Sequence, residues 1–172
     1  SRAETDRSGF SLVFDEIQWG LGRTGSFLGS PASGVRADYY LFSKSLGGGL
    51  AKLSALLVER ARYVEDFGLL HTSTFAEDDF ASAVALKVLD LLDEELIAGC
   101  AKKGQHLLAR LGDVARAYPD QIAGLRGRGL MIGIELAPQA GSASSFLRVA
   151  WEQELLGYVV AELRRAEHHV LA

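Results

Sequence analysis

The sequence predicts an α/β fold. Three short apolar runs, FSLVF (10–14), YYLFS (39–43) and SALLV (54–58), lack the clean alternation of a strand with one wet face, so they read as buried strands of a sheet covered on both sides. A wide helical stripe begins at Asp78. Glycines cluster at 20–29, 47–49 and 124–133, and glycine beside apolar runs marks places where backbone turns sharply or approaches a ligand. A chain of 172 residues suits one domain, or one domain with part of another. Its 48% hydrophobic and 23% charged residues exclude a disordered chain.

The elements follow in order. Residues 1–9 are polar and aperiodic and read as a loop. The strand at 10–14 runs into Asp15-Glu16, and the glycine-rich stretch 17–37 reads as an extended ordered loop. The strand at 39–43 is closed by Lys44 and Gly47-Gly48-Gly49. From Asp78 to about Leu96, Phe80, Val84, Val88 and Leu91 form a stripe, with Ala81, Ala85, Leu89 and Leu92 beside it. Asp78 and Asp79 stand where a cap is expected, and Gly99 breaks the helix. A second helix is expected over about 101–117, with Leu107, Leu108, Leu111 and Val114 inward and Tyr118-Pro119-Asp120 as its stop. LMIGIEL (130–136) alternates and reads as a half-buried strand. PQAGSASS (138–145) reads as a flexible connection, and 146–165 as a helix with Trp151, Leu155, Val159 and Leu163 in a stripe. Val170-Leu171-Ala172 begins another apolar run. A boundary near residue 97 separates a glycine-rich α/β part (1–97) from a helix–strand–helix part (98–172).

Composition narrows the function. Eighteen basic against 22 acidic residues give a net charge of −4, which leaves no basic excess to neutralise nucleic-acid phosphates. No apolar run approaches a membrane span. The lone Cys100 excludes an internal disulfide and points to a reducing, cytoplasmic compartment; no signal peptide is visible in a chain that starts at Ser1. Gly20-x-Gly22-x-x-Gly25 matches a dinucleotide fingerprint, but it neither follows the strand directly nor opens a helix. Gly47–Gly49 lacks the ending of a P-loop. His71, His106, His168 and His169 have no metal-like spacing. Arg126, Arg128 and Lys52 read as solvated charges, and Cys100 as a small packed or exposed side chain at a helix start. His71, close to Ser73-Thr74, is a candidate for a subunit interface.

Two residues remain. Asp15 and Lys44 each end a buried strand, 29 residues apart, with glycine loops after both. In open α/β sheets, ligands bind outside the carboxyl ends of the strands. Pyridoxal phosphate uses both groups: a lysine amine can hold its aldehyde as a Schiff base, and a carboxylate can keep its pyridine nitrogen protonated.

LVFDEIQWGLGRTGSFLG (12–29), ADYYLFSKSLGGGL (37–50), LHTSTF (70–75) and RGRGLMIGIEL (126–136), in this order and spacing, resemble the class III aminotransferases, above all their ornithine, acetylornithine and putrescine branch. The resemblance implies part of the large domain of the pyridoxal-phosphate transferase fold type I (aspartate-aminotransferase-like) over 1–97, followed by an incomplete α+β small domain over 98–172. It implies pyridoxal 5'-phosphate as cofactor. Asp15 faces the pyridine nitrogen, Gln18 the phenolic-oxygen side, and Lys44 is the Schiff-base lysine and proton carrier. Thr74 reaches the phosphate of a neighbouring subunit, which implies a homodimer with shared sites. The reaction implied moves an amino group from an amine or amino acid donor to an oxo acid acceptor. Decarboxylation or racemisation on the same scaffold, or a catalytically incompetent truncated chain, are the alternatives.

The chain also departs from the family. Ala76-Glu77-Asp78-Asp79 stands where Gly-Gly-Asn-Pro is common, Trp19 where threonine is common, and Leu50-Ala51-Lys52 replaces a proline-rich continuation. These departures bear on substrate class. The family's phosphate loop and stacking aromatic belong before residue 1 and its carboxylate-binding arginine after residue 172, so more than half of a full enzyme is expected outside this sequence.

Overall fold

The computed structural model describes residues 5, 7–30, 34–70, 73–74 and 76–168. Strands β1 (Val13–Asp15), β2 (Tyr39–Phe42) and β3 (Ala55–Val58) form one sheet in that order. β1 and β2 are parallel, with Asp15 opposite Leu41, and β2 and β3 are antiparallel, with Phe42 opposite Ala55. Helices α1 (Asp66–Leu70), α2 (Asp79–Leu91) and α3 (Glu94–Ala117) follow. A hairpin of β4 (Ile122–Arg128) and β5 (Met131–Leu136) comes next, then α4 (Ser145–Glu152) and α5 (Leu156–His168). The chain groups into two compact units, residues 1–105 with 128–131, and residues 106–127 with 132–172. The expected apolar run at 170–172 lies outside the described residues, as do 1–4 and 6 of the first segment. Thr5, Arg7 and Ser8 are helical there rather than loop. No helix among the described residues is long and apolar enough to cross a membrane.

In the first unit, a buried carboxylate sets the sheet. Asp38, 1% exposed, accepts the Leu12 amide at 2.7 Å and pairs with Arg62 Nε at 3.3 Å. Its own amide donates to Leu12 O and its carbonyl accepts from Glu59 N, so one residue ties the amino ends of β1 and β2 to the end of β3. Behind the sheet, Leu21, Phe42, Leu46 and Ala85 form the core, with Leu28, Tyr40, Leu53, Ala55 and Leu92 against them.

Several expectations are corrected. Among the described residues the sheet is not covered on both faces: Val13 and Leu56 are exposed on the face away from the core cluster, and Leu57 is exposed even on the face that Tyr40, Phe42 and Ala55 turn to it. The first strand starts at Val13 rather than Phe10, which is exposed. The long helix ends at Leu91, not near Leu96. Asp93 accepts the Leu96 amide at 2.7 Å and starts α3 there, so Gly99 lies inside a helix rather than breaking one. On α2 the inward face is Ala81, Val84, Ala85 and Val88, while Phe80 and Leu91 face outward. Small alanines let α2 lie close over the Lys44–Gly47 turn, a placement that helical periodicity does not report. Asp78 caps α2 as expected, accepting from Ala81 N at 2.6 Å.

In the second unit, Leu108 and Leu111 are half-buried, while Leu107 and Val114 are exposed on the other side of the same helix. α3 stops at Ala117, before the expected Tyr118-Pro119-Asp120. β4 carries glycines and arginines at 124–128 in place of an apolar run, so it left no strand signal. The helix expected over 146–165 is two helices. Glu154 takes φ +56 between them and Leu155 is exposed while Leu156 is buried.

Asp38→Ala leaves the part-buried Leu12 amide without its carboxylate and Arg62 without its partner, which costs about 3 kcal/mol. Arg62→Ala, at a side chain 38% exposed, costs about 1 kcal/mol. Urea denaturation should rank the two variants in that order, with accelerated exchange of the Leu12 amide only in the first. Equal effects would mean that the ion pair, not the backbone bond, carries the stability.

Candidate active site

Parallel pairing brings the carboxyl ends of β1 and β2 to the same edge of the sheet. The Glu16 amide extends the pairing to Leu41 O, and the chain then leaves both strands: into the loop 16–30 after β1 and into a 3-10 turn, Lys44–Gly47, after β2. Lys44 adopts φ +45, a left-handed conformation that costs a lysine of order 1 kcal/mol. Gly48 and Gly49 follow at φ +59 and +76, where side chains are disfavoured, and fold the chain back toward Ser43.

Among the four expected site residues, the structure brings two into contact. Lys44 Nζ donates to Gln18 Oε1 at 3.4 Å, a long hydrogen bond. Asp15 stands on the adjoining strand end without touching Lys44. Its Oδ1 accepts the Ile17 amide at 2.9 Å, and its other oxygen takes no hydrogen bond among the described residues. Asp15, Gln18 and Lys44 are all exposed, although Asp15 and Lys44 were expected at the ends of buried strands. Lys44 lines a cavity of about 450 Å³ with Ser43, Ala51, Lys52, Leu53 and Ser54. Asp15 lines a separate one of about 250 Å³ with Phe14, Glu16, Trp19, Gly29 and Ser30. Thr74 is exposed and lines neither; His71 and Phe75 of the same motif lie outside the described residues.

Two positioning residues were not expected. Glu16 is 3% exposed, and its carboxylate accepts the amides of Gly29 (2.8 Å) and Ser30 (2.9 Å), closing the loop 16–30 on itself. Its only sequence signal was an acid directly after Asp15, which resembles any strand-end charge. Arg128, read as solvated, instead donates to Gly29 O at 3.1 Å and reaches Ser26 Oγ at 3.4 Å, although it remains exposed. Arg126 fits its solvated reading and pairs with Glu135 at 2.8 Å on the surface. The Arg128 contact requires the hairpin tip to lie directly on the loop. The Leu130 amide donates to Arg23 O at 2.9 Å, and a Cβ on Gly129 (φ +56) would collide with the backbone of Arg23 and Thr24. Gly29 is thus held through its N–H by Glu16 and through its carbonyl by Arg128.

The donor set suits pyridoxal phosphate: an amine for the aldehyde, an amide for the phenolic oxygen, and a carboxylate with an open oxygen for a pyridinium N–H. Among the described residues there is no cluster of metal-ligating side chains.

The fold of this chain is shared with solved transaminases. Ornithine aminotransferase from Toxoplasma gondii superposes with a TM-score of 0.70 at 31% identity, over 79% of this chain and 31% of that one. An amine transaminase from an uncultivated Pseudomonas species, solved in its pyridoxal-phosphate-bound form, gives 0.71 at 32% identity, over 86% of this chain and 34% of that one. The Aminotransferase class-III sequence model matches residues 2–162, and the chain belongs to that family, whose members depend on pyridoxal phosphate. Among curated relatives, ornithine aminotransferase of Bordetella pertussis is 41% identical over 78% of this chain and 32% of its own length. Acetylornithine aminotransferase of Thermosynechococcus vestitus is 38% identical over 86% of this chain and 36% of its own. The chain therefore spans about a third of the length of these relatives.

Glu16→Ala removes two charge-assisted bonds from a buried position and should loosen the loop by about 3 kcal/mol, whereas Arg128→Ala should cost about 1 kcal/mol. Amide exchange at Gly29 and Ser30 reads this directly. A larger effect from Arg128→Ala would place the clamp in the hairpin instead.

Proposed function

We propose that the protein carrying this chain is a pyridoxal-phosphate-dependent aminotransferase that moves an amino group from an amine or amino acid donor to an oxo acid. The observation that supports it most is the Lys44–Gln18 contact at 3.4 Å, beside the open carboxylate of Asp15 on the parallel strand. The cofactor, when bound, supplies an electron sink for the electrons of the donor's C–H bond. Lys44 Nζ would hold the cofactor through its aldehyde and, as a free amine, would carry the proton of the donor carbon. Asp15 would hold the pyridine N–H, and Gln18 would hydrogen-bond the phenolic oxygen. The strained φ of Lys44 fixes where its amine is displayed.

Thr74 contacts the phosphate held by a second copy of the chain, so the working unit is a homodimer with shared sites. The exposed turn that carries Thr74 is consistent with that role. Residues 1–97 belong to the large, cofactor-binding domain and 98–172 to the small one, and the enzyme works in the cytoplasm.

Kinetics of the full-length protein test this reading. Lys44→Ala should lower kcat by at least about 10³-fold. Asp15→Asn should lower it by about 10²-fold while leaving the visible absorbance of the lysine-bound cofactor in place. Formation of an amino acid from the oxo acid, in step with carbonyl product from the donor, is expected. Release of carbon dioxide, or inversion of the donor without amino transfer, would replace the reading by decarboxylation or racemisation.

A further inference from the structure

The turn that carries Gln18 is braced from the hairpin, more than 100 residues further along the chain. Residues 16–20 close on themselves through the Gly20 amide, which donates to Glu16 O at 3.0 Å. The loop then returns. The Leu21 amide donates to Phe27 O at 2.7 Å, so residues 27–29 run back beside 19–21 and set Gly29 opposite Trp19. A Cβ on Gly29 would lie 2.8 Å from Trp19 Cβ and 3.2 Å from Glu16 Oε2, and Gly29 has no positive φ that would favour glycine by itself. Its missing side chain therefore makes room for Trp19. From the other side, and within the same compact unit, the hairpin tip bears on Gly29. Arg128 Nη1 donates to Gly29 O at 3.1 Å and Nη2 to Ser26 Oγ at 3.4 Å, so one planar guanidinium fixes two points of the returning strand. Arg128 is exposed and Trp19 is 52% exposed, so neither adds much to the core. What they add is position. Arg128 holds Gly29, Gly29 backs Trp19, and Trp19 adjoins Gln18, whose Oε1 accepts from Lys44 Nζ at 3.4 Å.

We infer that Arg128 and Trp19 are positioning residues for Gln18, with Gly29 as the relay between them. A hydrogen bond from Gln18 to the phenolic oxygen of a bound cofactor favours the ionised oxygen and lowers the pH at which it titrates. Displacing the turn weakens that bond without altering Gln18 itself. The effect on the cofactor rests on the proposed function, whereas the contacts from hairpin to turn do not.

Arg128→Ala, Gly29→Ala and Gln18→Ala are made in the full-length protein, and the first two are also combined with Gln18→Ala. Gly29→Ala removes no charge and no hydrogen-bonding group; its methyl pushes on Trp19 and on the Glu16 carboxylate. In the apoprotein, amide exchange at Gly20 should quicken about fivefold in Arg128→Ala and in Gly29→Ala, because the turn opens more easily. In the holoprotein, the visible absorbance of the lysine-bound cofactor is titrated with pH. Gln18→Ala should raise the midpoint by about one pH unit, and Arg128→Ala and Gly29→Ala by about half a unit each. Neither should raise it further once Gln18 is gone. Shifts that persist in the Gln18→Ala background would mean a route to the cofactor that bypasses Gln18, and would overturn the positioning role. So would a Gly29→Ala midpoint that stays at the wild-type value, or Gly20 exchange that neither substitution changes. A wild-type protein that takes up no cofactor, but whose Gly20 exchange still responds to both substitutions, would sink the proposed function and leave the relay from hairpin to turn standing.

Discussion

A carboxylate taken out of water at the amino ends of the strands governs what happens at their carboxyl ends. Asp38 sits 1% exposed between the start of β1 and the end of β3, bonded to the Leu12 amide and to Arg62. A buried carboxylate without partners is expensive, so the chain adopts a register that supplies them. That register puts Val13 opposite Tyr39 and Asp15 opposite Leu41. A slip of one residue would turn Asp15 to the opposite face of the sheet. The edge that carries the proposed site is thus fixed from the far side of the sheet, by a residue outside that site.

At the carboxyl edge the two halves of the site are held by different means. On the β1 side, a buried glutamate and an exposed arginine grip Gly29 from its two ends and shape the loop that carries Gln18. On the β2 side, a tight turn under α2 holds Lys44 at a positive φ, with Ala81 and Ala85 allowing the helix close approach. A left-handed lysine persists only where the surroundings over-determine it, and such strain concentrates where side-chain display matters. Asp15 and Lys44, the residues proposed to carry the chemistry, are both exposed.

The strand ends were legible because apolar runs bounded by charge and glycine are local signals, and Asp15, Gln18 and Lys44 all lie at such boundaries or just past them. The caps were legible where the acid precedes the helix, as at Asp78. Less visible was anything decided by distant partners. Asp38 reads in sequence as a polar residue before a strand, and only Arg62 and Leu12 reveal why it is buried. Arg128 reads as surface charge because its acceptor is 99 residues away. The break at Leu92-Asp93 was hidden by a hydrophobic period that continues across it. β4 was hidden by the opposite cause, since IAGLRGR has no apolar face to see.

The central claim is that Lys44 is the amine that bonds the cofactor. Full-length protein would be loaded with pyridoxal phosphate, reduced with borohydride, digested, and mapped by mass spectrometry. The account predicts a phosphopyridoxyl group on Lys44 and none on Lys52, which lines the same cavity. A stable label on Lys52, or on another lysine with Lys44 unmodified, would contradict it.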